Sequence, residues 1–151
     1  MKSDRSRYFV AFLVCALAGL RSEVAAAQAS PCSLLTSAQV SAVVGVSVGA
    51  AQPIATTGCA WSGPHVMTTV SLWDASGWEK MKTPLAGMTK TAVAGLGDDA
   101  FFSTIGAPGK QLATLSVKKG KTAYIFHVYG GILSDQMTME KALASAVLAK
   151  L

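Results

Sequence analysis

The amino-acid sequence predicts an α+β fold, a two-layer sandwich of one antiparallel sheet with the N- and C-terminal helices packed on one of its faces. Residues 66–73 alternate between two kinds of side chain, as a half-buried strand does. Residues 111–129 hold two strand-like runs around a Lys-Gly pair, which predicts a hairpin. Helical signals stand at both ends of this region, near residues 36–45 and from residue 134 onwards.

Residues 1–29 are predicted to be a secretory signal peptide rather than part of the fold. Lys2, Arg5 and Arg7 form a positively charged start, residues 9–20 are almost all apolar, and a run of small residues follows. This three-part pattern is typical of a cleaved leader. Because the apolar run is shorter than the about 20 residues of a spanning helix, we expect cleavage rather than a permanent membrane anchor.

Cleavage is expected near residues 27–30, where two frames of small residues fit, one before Gln28 and one before Ser30. Residues 30–151 then remain as a single disulfide-stabilised domain, since a chain of this length suits one core. We therefore expect a periplasmic or secreted protein with no stable membrane anchor after cleavage.

Removal of the leader changes the charge of the protein. The mature chain keeps nine Lys and six acidic residues, a net charge of +3, and it has no Arg. Arg is the residue best suited to bidentate phosphate contacts, and nucleic-acid-binding domains carry clustered basic residues. The composition therefore argues against a nucleic-acid partner.

Cys32 and Cys59 are the cysteines of the mature chain, because Cys15 falls in the leader. An even number of cysteines in an oxidising compartment predicts a disulfide, and two cysteines allow a single connectivity. The alternative is a redox or metal-binding pair, but the spacing is far from Cys-x-x-Cys and no His–Cys cluster accompanies it. We expect a Cys32–Cys59 disulfide covered by Trp61, two residues further along.

Local signals define the first half of the domain. Thr36 and Gln39 have the spacing of a capping box, and Gly45 suits the end of the helix that follows. Residues 46–54 can hold a short strand, which Pro53 would place at a sheet edge or a strand end.

The middle of the chain alternates between strands and turns. Ser76 and Glu79 fit a second capping box, which predicts a short helix over residues 77–82. Residues 95–99 form a loop by composition. Strands are predicted over residues 58–61, 66–73, 91–93 and 100–104.

The hairpin register defines two sheet faces. If Lys119 and Gly120 form the loop, Lys118 pairs with Lys121. The more apolar face, expected toward the core, holds Ala113, Leu115, Val117, Thr122, Tyr124, Phe126 and Val128. The other face holds Leu112, Thr114, Ser116, Ile125, His127 and Tyr129. The last helix is expected to lie across the core face through the stripe Met139, Leu143, Ala146, Val147 and Leu151.

Three local patterns follow one another along the mature chain. They are Pro-Cys-Ser-Leu-Leu-Thr at residues 31–36, Gly-Cys-Ala-Trp at residues 58–61 and Val-Ala-Gly-Leu-Gly-Asp-Asp-Ala at residues 93–100. Together they resemble the domain of unknown function 3558 family of small extracytoplasmic bacterial proteins, many of them lipoproteins. The resemblance implies a two-layer α+β domain with paired cysteines and no established activity. The chain departs from the lipoprotein pattern, because Cys15 follows bulky apolar residues and Cys32 lies beyond the apolar run.

Groups that could carry out chemistry are few. His65, expected in an exposed turn, and His127 are the only histidines, and no Gly-x-Ser-x-Gly motif is present. Asp98 and Asp99 lack the regularly spaced oxygen ligands of a calcium loop, so we expect a carboxylate there to cap turn amides. We predict no catalytic residue, cofactor or metal. An enzyme that uses His127 with an Asp is kept as a third hypothesis.

The sheet face away from the helices is the predicted binding surface. Trp73, Thr114, His127 and Tyr129 give it a polar and aromatic character that suits recognition, although local packing is the alternative for each aromatic. The leading hypothesis is an exported, non-catalytic binding or interaction module, whose partner is an unknown protein or small molecule of the cell envelope. The alternative is an inhibitor or immunity-type protein that acts on an envelope enzyme.

Overall fold

The computed structural model describes residues 30–151, so the predicted signal peptide, its cleavage frames and Cys15 lie outside the described residues. The elements in chain order are helix α1 (Ser37–Val44), strands β1 (Gln52–Ile54), β2 (Gly58–Gly63) and β3 (Val66–Asp74), helix α2 (Trp78–Lys82), strands β4 (Met88–Ala92), β5 (Asp99–Ile105), β6 (Leu112–Lys119) and β7 (Thr122–Tyr129), and helix α3 (Leu133–Leu148). Short 3-10 turns span Pro31–Ser33 and Ala75–Gly77.

The strands form one antiparallel sheet in the order β1-β2-β3-β7-β6-β5-β4. Helix α3 packs on β6 and β7, and α1 packs beside α3, so both helices share one core with the inner face of the sheet. The predicted α+β two-layer sandwich is therefore confirmed. Helix α2 adds a feature that the sequence did not indicate, because its Trp78 packs on the opposite face against Phe101 and Ala123.

The predicted start and end of α1 are confirmed. The amide of Gln39 donates to Oγ1 of Thr36 over 3.2 Å, and the amide of Thr36 donates to Oε1 of Gln39 over 3.0 Å. These reciprocal bonds satisfy amides that the first helical turn leaves free. At the other end, Gly45 adopts a positive φ of 75°, a conformation that favours glycine after a helix.

Cys32 and Cys59 form the predicted disulfide, with their Cα atoms 5.1 Å apart. It joins the 3-10 turn Pro31–Ser33 to β2 just before α1 begins. Cys59 and Trp61 are both buried in the main core cluster. The N-terminal helix is therefore covalently tied to the sheet.

The predicted capping box at Ser76 is wrong. Helix α2 begins at Trp78 without a side-chain cap. Oδ1 of Asp74 instead accepts from the Ser76 amide over 2.7 Å and caps the 3-10 turn that precedes the helix. Asp readily binds the amide two residues further on, and this turn takes up Ser76 before the α-helix starts.

The predicted hairpin register is also wrong, by two residues. Lys119 pairs with Thr122, so the loop is Gly120-Lys121 rather than Lys119-Gly120. Gly120 adopts a φ of 58°, which favours glycine at the first loop position. A shift of two residues preserves the alternation of side chains, so both predicted faces keep their residues.

The predicted stripe of α3 needs a correction. Leu143 and Val147 are buried, but Met139 and Ala146 are only half-buried, and Leu151 lies beyond the helix and is exposed. The buried side of α3 consists of Gln136, Glu140, Leu143, Ala144 and Val147. Within residues 30–151 no helix combines the length and apolarity that a bilayer-crossing segment requires.

The two polar residues on the buried side of α3 occupy an opening between β6 and β7. The ladder of these strands ends at the pair of Leu115 and Phe126. Two residues further along each strand, the Ala113 amide donates to Oε1 of Gln136 over 3.1 Å, and the Val128 amide donates to Oε1 of Glu140 over 2.9 Å. These side chains replace the carbonyl groups that the strands would offer each other. They lie four residues apart, one helical turn.

Glu140 is fully buried in this opening. Burial raises the pKa of its carboxyl to about 8, although hydrogen bonds from the amides of Val128 and Leu115 partly oppose this. Among the described residues, its Oε2 atom has no hydrogen-bond partner. The carboxyl is therefore mostly protonated at neutral pH and acts as an uncharged acceptor in the core.

Candidate binding site on the outer sheet face

A cavity of about 530 Å³ lies on the outer face of the sheet, the face opposite α1 and α3. The sheet forms its floor, and helix α2 with the chain leading to β4 forms its wall. The lining residues are Trp73, Lys80, Met81, Thr83, Leu85, Met88, Lys90, Ser103, Thr114, Ser116 and Ile125. Small-ligand sites commonly have volumes of about 300 to 1,000 Å³.

The floor combines hydroxyl groups with one branched apolar side chain. In the strand registers, Ser103 of β5 lies opposite Thr114 of β6, and Ser116 of β6 lies opposite Ile125 of β7. Successive residues of a strand point to opposite faces, so the residues between them, such as Leu115, are buried in the core beneath. The core therefore holds the floor in place.

The wall is fixed to the sheet through Trp78. Its ring packs against that of Phe101, with 5.1 Å between the centroids. Its Nε1 atom donates to Oδ2 of Asp99 over 2.8 Å, and Nζ of Lys82 reaches the same oxygen over 3.0 Å. The hydrogen bond from the Trp78 indole, followed by that from Lys82, lowers the pKa of the Asp99 carboxyl. One carboxylate thus holds both ends of α2.

The rim of the cavity is apolar and open to solvent. Trp73 of β3 is 59% exposed, and Leu85, in the segment between α2 and β4, is 69% exposed. Met81 and Met88 line the wall and are half-buried. Methionine is unbranched and adapts to ligands of different shape, so this wall suits an apolar molecule.

Lys90 brings a cation to this cavity. Its Nζ atom donates to Oγ of Ser103 over 2.6 Å and lies 4.6 Å from the centroid of the Phe101 ring. Lys90 is half-buried, and this burial lowers the pKa of its ammonium group. Lys80 is exposed. Among the described residues that line the cavity, none carries a carboxylate.

The four residues predicted for the binding face all lie on the outer face, but only two line the cavity. Trp73 and Thr114 are part of its lining. His127 stacks on Tyr129 next to it, with 4.0 Å between the ring centroids, and its Nδ1 atom lies 3.3 Å from Oγ1 of Thr114. Burial lowers the pKa of His127. His127 and Tyr129 therefore flank the site.

The cavity lining includes neither carboxylate of the acidic pair, Asp98 and Asp99, nor the other histidine, His65. Oδ2 of Asp98 accepts from the Gly120 amide over 2.7 Å, the turn-capping role expected from the sequence. The Asp99 carboxylate holds α2, and His65 is exposed in a turn, as predicted. In residues 30–151, no group of three or more His, Cys, Asp or Glu side chains could hold a metal ion.

Replacement of Asp99 by Ala is expected to lower the free energy of unfolding by about 1 to 3 kcal/mol, because the buried Trp78 indole loses its acceptor. Urea unfolding followed by Trp fluorescence measures this change. Glu79→Ala is the matched control, since Glu79 makes only an exposed ion pair with Lys82. Equal unfolding midpoints for the two variants would show that Asp99 does not hold the wall.

The site is thus a preformed recess with an apolar rim, a hydroxyl-bearing floor and one half-buried ammonium group. Comparisons of the chain with protein-family models, with curated proteins and with solved structures found no match.

Proposed function

We propose that this protein is an exported, non-catalytic binding module that takes a small apolar molecule into the cavity on its outer face. The observation that carries this proposal is the cavity itself, which has an apolar rim and wall. Of the helices in residues 30–151, only the short α2 packs on this face of the sheet. Concave sites with mostly apolar walls and a few polar groups are typical of small-molecule binding.

The rigidity of the site supports binding. The floor belongs to three hydrogen-bonded strands, and Trp78 and Asp99 hold the wall. A preformed site loses less conformational entropy when a ligand binds. The Cys32–Cys59 disulfide fits a protein that matures in an oxidising compartment, and this supports the proposed export.

The chemistry of the lining favours binding over catalysis. Among the lining residues described, the titratable groups are Lys80 and Lys90. The nearest histidine, His127, binds Thr114. An activated nucleophile needs an adjacent base that a third group orients. Asp98 and Asp99, the aspartates considered for such a role, bind Gly120 and Trp78 instead.

An inhibitor or immunity-type protein is the second candidate. It is favoured by the exposure of Trp73 and Leu85, because protruding aromatic and aliphatic side chains are common anchors of protein interfaces. Co-purification of one envelope enzyme in a 1:1 complex that Trp73→Ala abolishes would favour this function over a small-molecule module.

Titration of the purified protein with 1-decanol tests the proposed function. We expect a saturable change in Trp fluorescence at one site per chain, since Trp73 lines the cavity. Ile125→Glu should weaken this binding by about tenfold or more, because it places a carboxylate on the apolar part of the floor.

Ile54→Glu is the control, because Ile54 is an exposed residue of the edge strand β1 outside the cavity lining. Circular dichroism of both variants establishes that they are folded. Absence of saturable binding, or equal affinities of the two variants for decanol, would contradict the proposed site.

A further inference from the structure

We infer that the ligand of the outer-face cavity is a single-chain amphiphilic monocarboxylate, whose carboxylate binds Lys90 and whose apolar chain lies along Ile125, Met81 and Leu85. This inference rests on the proposed binding function of the cavity. It adds the chemical class of the ligand and the residue that selects it.

Lys90 points to an anion because residues 30–151 give it no counter-charge. The ion pairs of the described residues use Lys82 and Lys119, and none involves Lys90. In the described part of the chain, the neighbours of favourable polarity at its Nζ atom are a neutral hydroxyl and an aromatic ring. A half-buried cation loses hydration that such neutral groups replace only in part. A bound anion would restore the lost stabilisation.

The polar groups beside Lys90 suit a carboxylate. Lys90, Ser103 and Thr114 follow one another across β4, β5 and β6 in directly paired positions. The Ser103 hydroxyl accepts from Lys90, so its own hydrogen is free to point to a ligand oxygen. An ammonium group and a hydroxyl in adjacent positions can each donate to a carboxylate, and hydrogen bonds between charged groups are the stronger kind.

The charge of the lining favours a ligand with one negative charge. Lys90 is the half-buried cation, and Lys80 is exposed. Phosphate recognition typically uses several charged or amide donors, often the planar fork of Arg, and the mature chain contains no Arg. A cationic ligand would meet two lysines and no carboxylate of the described lining.

The apolar lining requires the rest of the ligand to be a hydrocarbon chain. Ile125 forms the apolar part of the floor, Met81 lies on the wall, and Leu85 stands at the open rim. Leu85 is 69% exposed. A hydrocarbon chain that covers it would remove apolar surface from water, which favours binding. The cavity thus has an anion-binding end at Lys90 and an apolar surface beyond it.

Calorimetric titration with three probes of equal chain length tests this inference. The probes are sodium decanoate and decyltrimethylammonium, each below its critical micelle concentration, and 1-decanol below its solubility limit. We expect decanoate to bind about tenfold more tightly than decanol, as one charge-assisted hydrogen bond predicts. The decyltrimethylammonium ion should bind most weakly, because it meets Lys90.

Lys90→Met keeps the apolar stem and removes the charge, so decanoate should lose its advantage while decanol keeps its affinity. Lys90→Gln serves as a second neutral variant. Lys141→Gln is the control, since Lys141 is an exposed residue of α3 on the other side of the sheet.

Each outcome bears on a distinct claim. Equal affinity for decanoate and decanol, or an unchanged preference in both Lys90 variants, would overturn the inference and leave the binding function standing. Binding of neither probe would overturn both. Sedimentation with phosphatidylglycerol vesicles separates a free ligand from a membrane surface, and binding to these vesicles without binding of decanoate would also contradict the inference.

Discussion

Raising the pH from well below 4.5 to well above 8 is expected to lower the free energy of unfolding by about 5 kcal/mol through one buried carboxyl group, that of Glu140. The folded state holds this group at a pKa of about 8, against an ordinary value of 4.5. Below pH 4.5 the carboxyl is protonated in both the folded and the unfolded chain. The contribution of protonated Glu140 to the free energy of unfolding is therefore fully present at these low pH values.

Between these two pH values the unfolded chain loses the Glu140 proton while the folded chain retains it. Stability falls as pH rises wherever the folded state binds more protons. Above pH 8 both states are ionised, and the contribution of Glu140 levels off. The expected loss is a large fraction of the stability of a small domain, which is typically about 5 to 15 kcal/mol.

Glu140→Gln isolates this effect. The Gln side chain can still accept from the Val128 amide but cannot ionise. We expect urea-unfolding measurements to show that the pH dependence between 4.5 and 8 is largely lost and that the variant is more stable than the wild type above pH 8.

The effect of Glu140 is measured as the difference between variant and wild type, because His127 also makes the free energy of unfolding depend on pH. Burial lowers its pKa, so its neutral form stabilises the folded state, and this contribution is lost as pH falls below the ordinary value of 6.5. The difference between the two proteins cancels this slope. Parallel stability curves for wild type and Glu140→Gln would contradict a buried, protonated Glu140.

Loss of the Cys32–Cys59 disulfide is expected to lower the free energy of unfolding by about 3.5 kcal/mol, from the loop of 27 residues that it closes. The bond restricts the unfolded chain, so most of the effect comes from that state. In the folded state it ties the turn before α1 to β2, and Cys59 lies in the core.

Urea unfolding of the oxidised protein, the reduced protein and a variant with both Cys32→Ser and Cys59→Ser measures this contribution. The reduced protein and the double variant should unfold at similar, lower urea concentrations than the oxidised protein. Thr36→Ala is a useful comparison, since it removes a cap of the same helix and should cost only about 1 kcal/mol. Coincident midpoints for the oxidised and reduced proteins would contradict the prediction.

The parts of the fold that depend on short sequence spacing could be predicted. The cap formed by Thr36 and Gln39 needs only three residues of separation, and the alternation along β3 directly reflects which of its side chains are buried. The pairing of Cys32 with Cys59 followed from there being two cysteines outside the predicted signal peptide. The hairpin faces were predicted, but its register was not, because a shift of two residues leaves the alternation unchanged.

The polar side of α3 could not be predicted from the helix alone. Gln136 and Glu140 are buried because the amides of Ala113 and Val128 lack partners on the neighbouring strand. That need arises between strands distant in sequence from the helix. A Glu on a helix is ordinarily exposed, so the pattern of α3 taken by itself identified Leu143 and Val147 but missed the two buried polar residues.

The candidate site was predicted as a face but not as a cavity. Trp73 and Thr114 followed from strand alternation. Leu85 did not, because residues 83–87 have no periodic pattern and their position depends on how Trp78 docks α2 onto the outer face. Lys90 did not, because the predicted strand covered residues 91–93, whereas β4 spans Met88–Ala92 and pairs Lys90 with Ser103.

A crystal structure of the protein grown with sodium decanoate shows whether the outer-face cavity binds a monocarboxylate at Lys90. We expect one decanoate in this cavity, with a carboxylate oxygen about 3 Å from Nζ of Lys90 and the chain against Ile125 and Leu85. A cavity without decanoate in crystals where its lining is free of neighbouring molecules, or a decanoate bound elsewhere on the protein, would contradict this expectation.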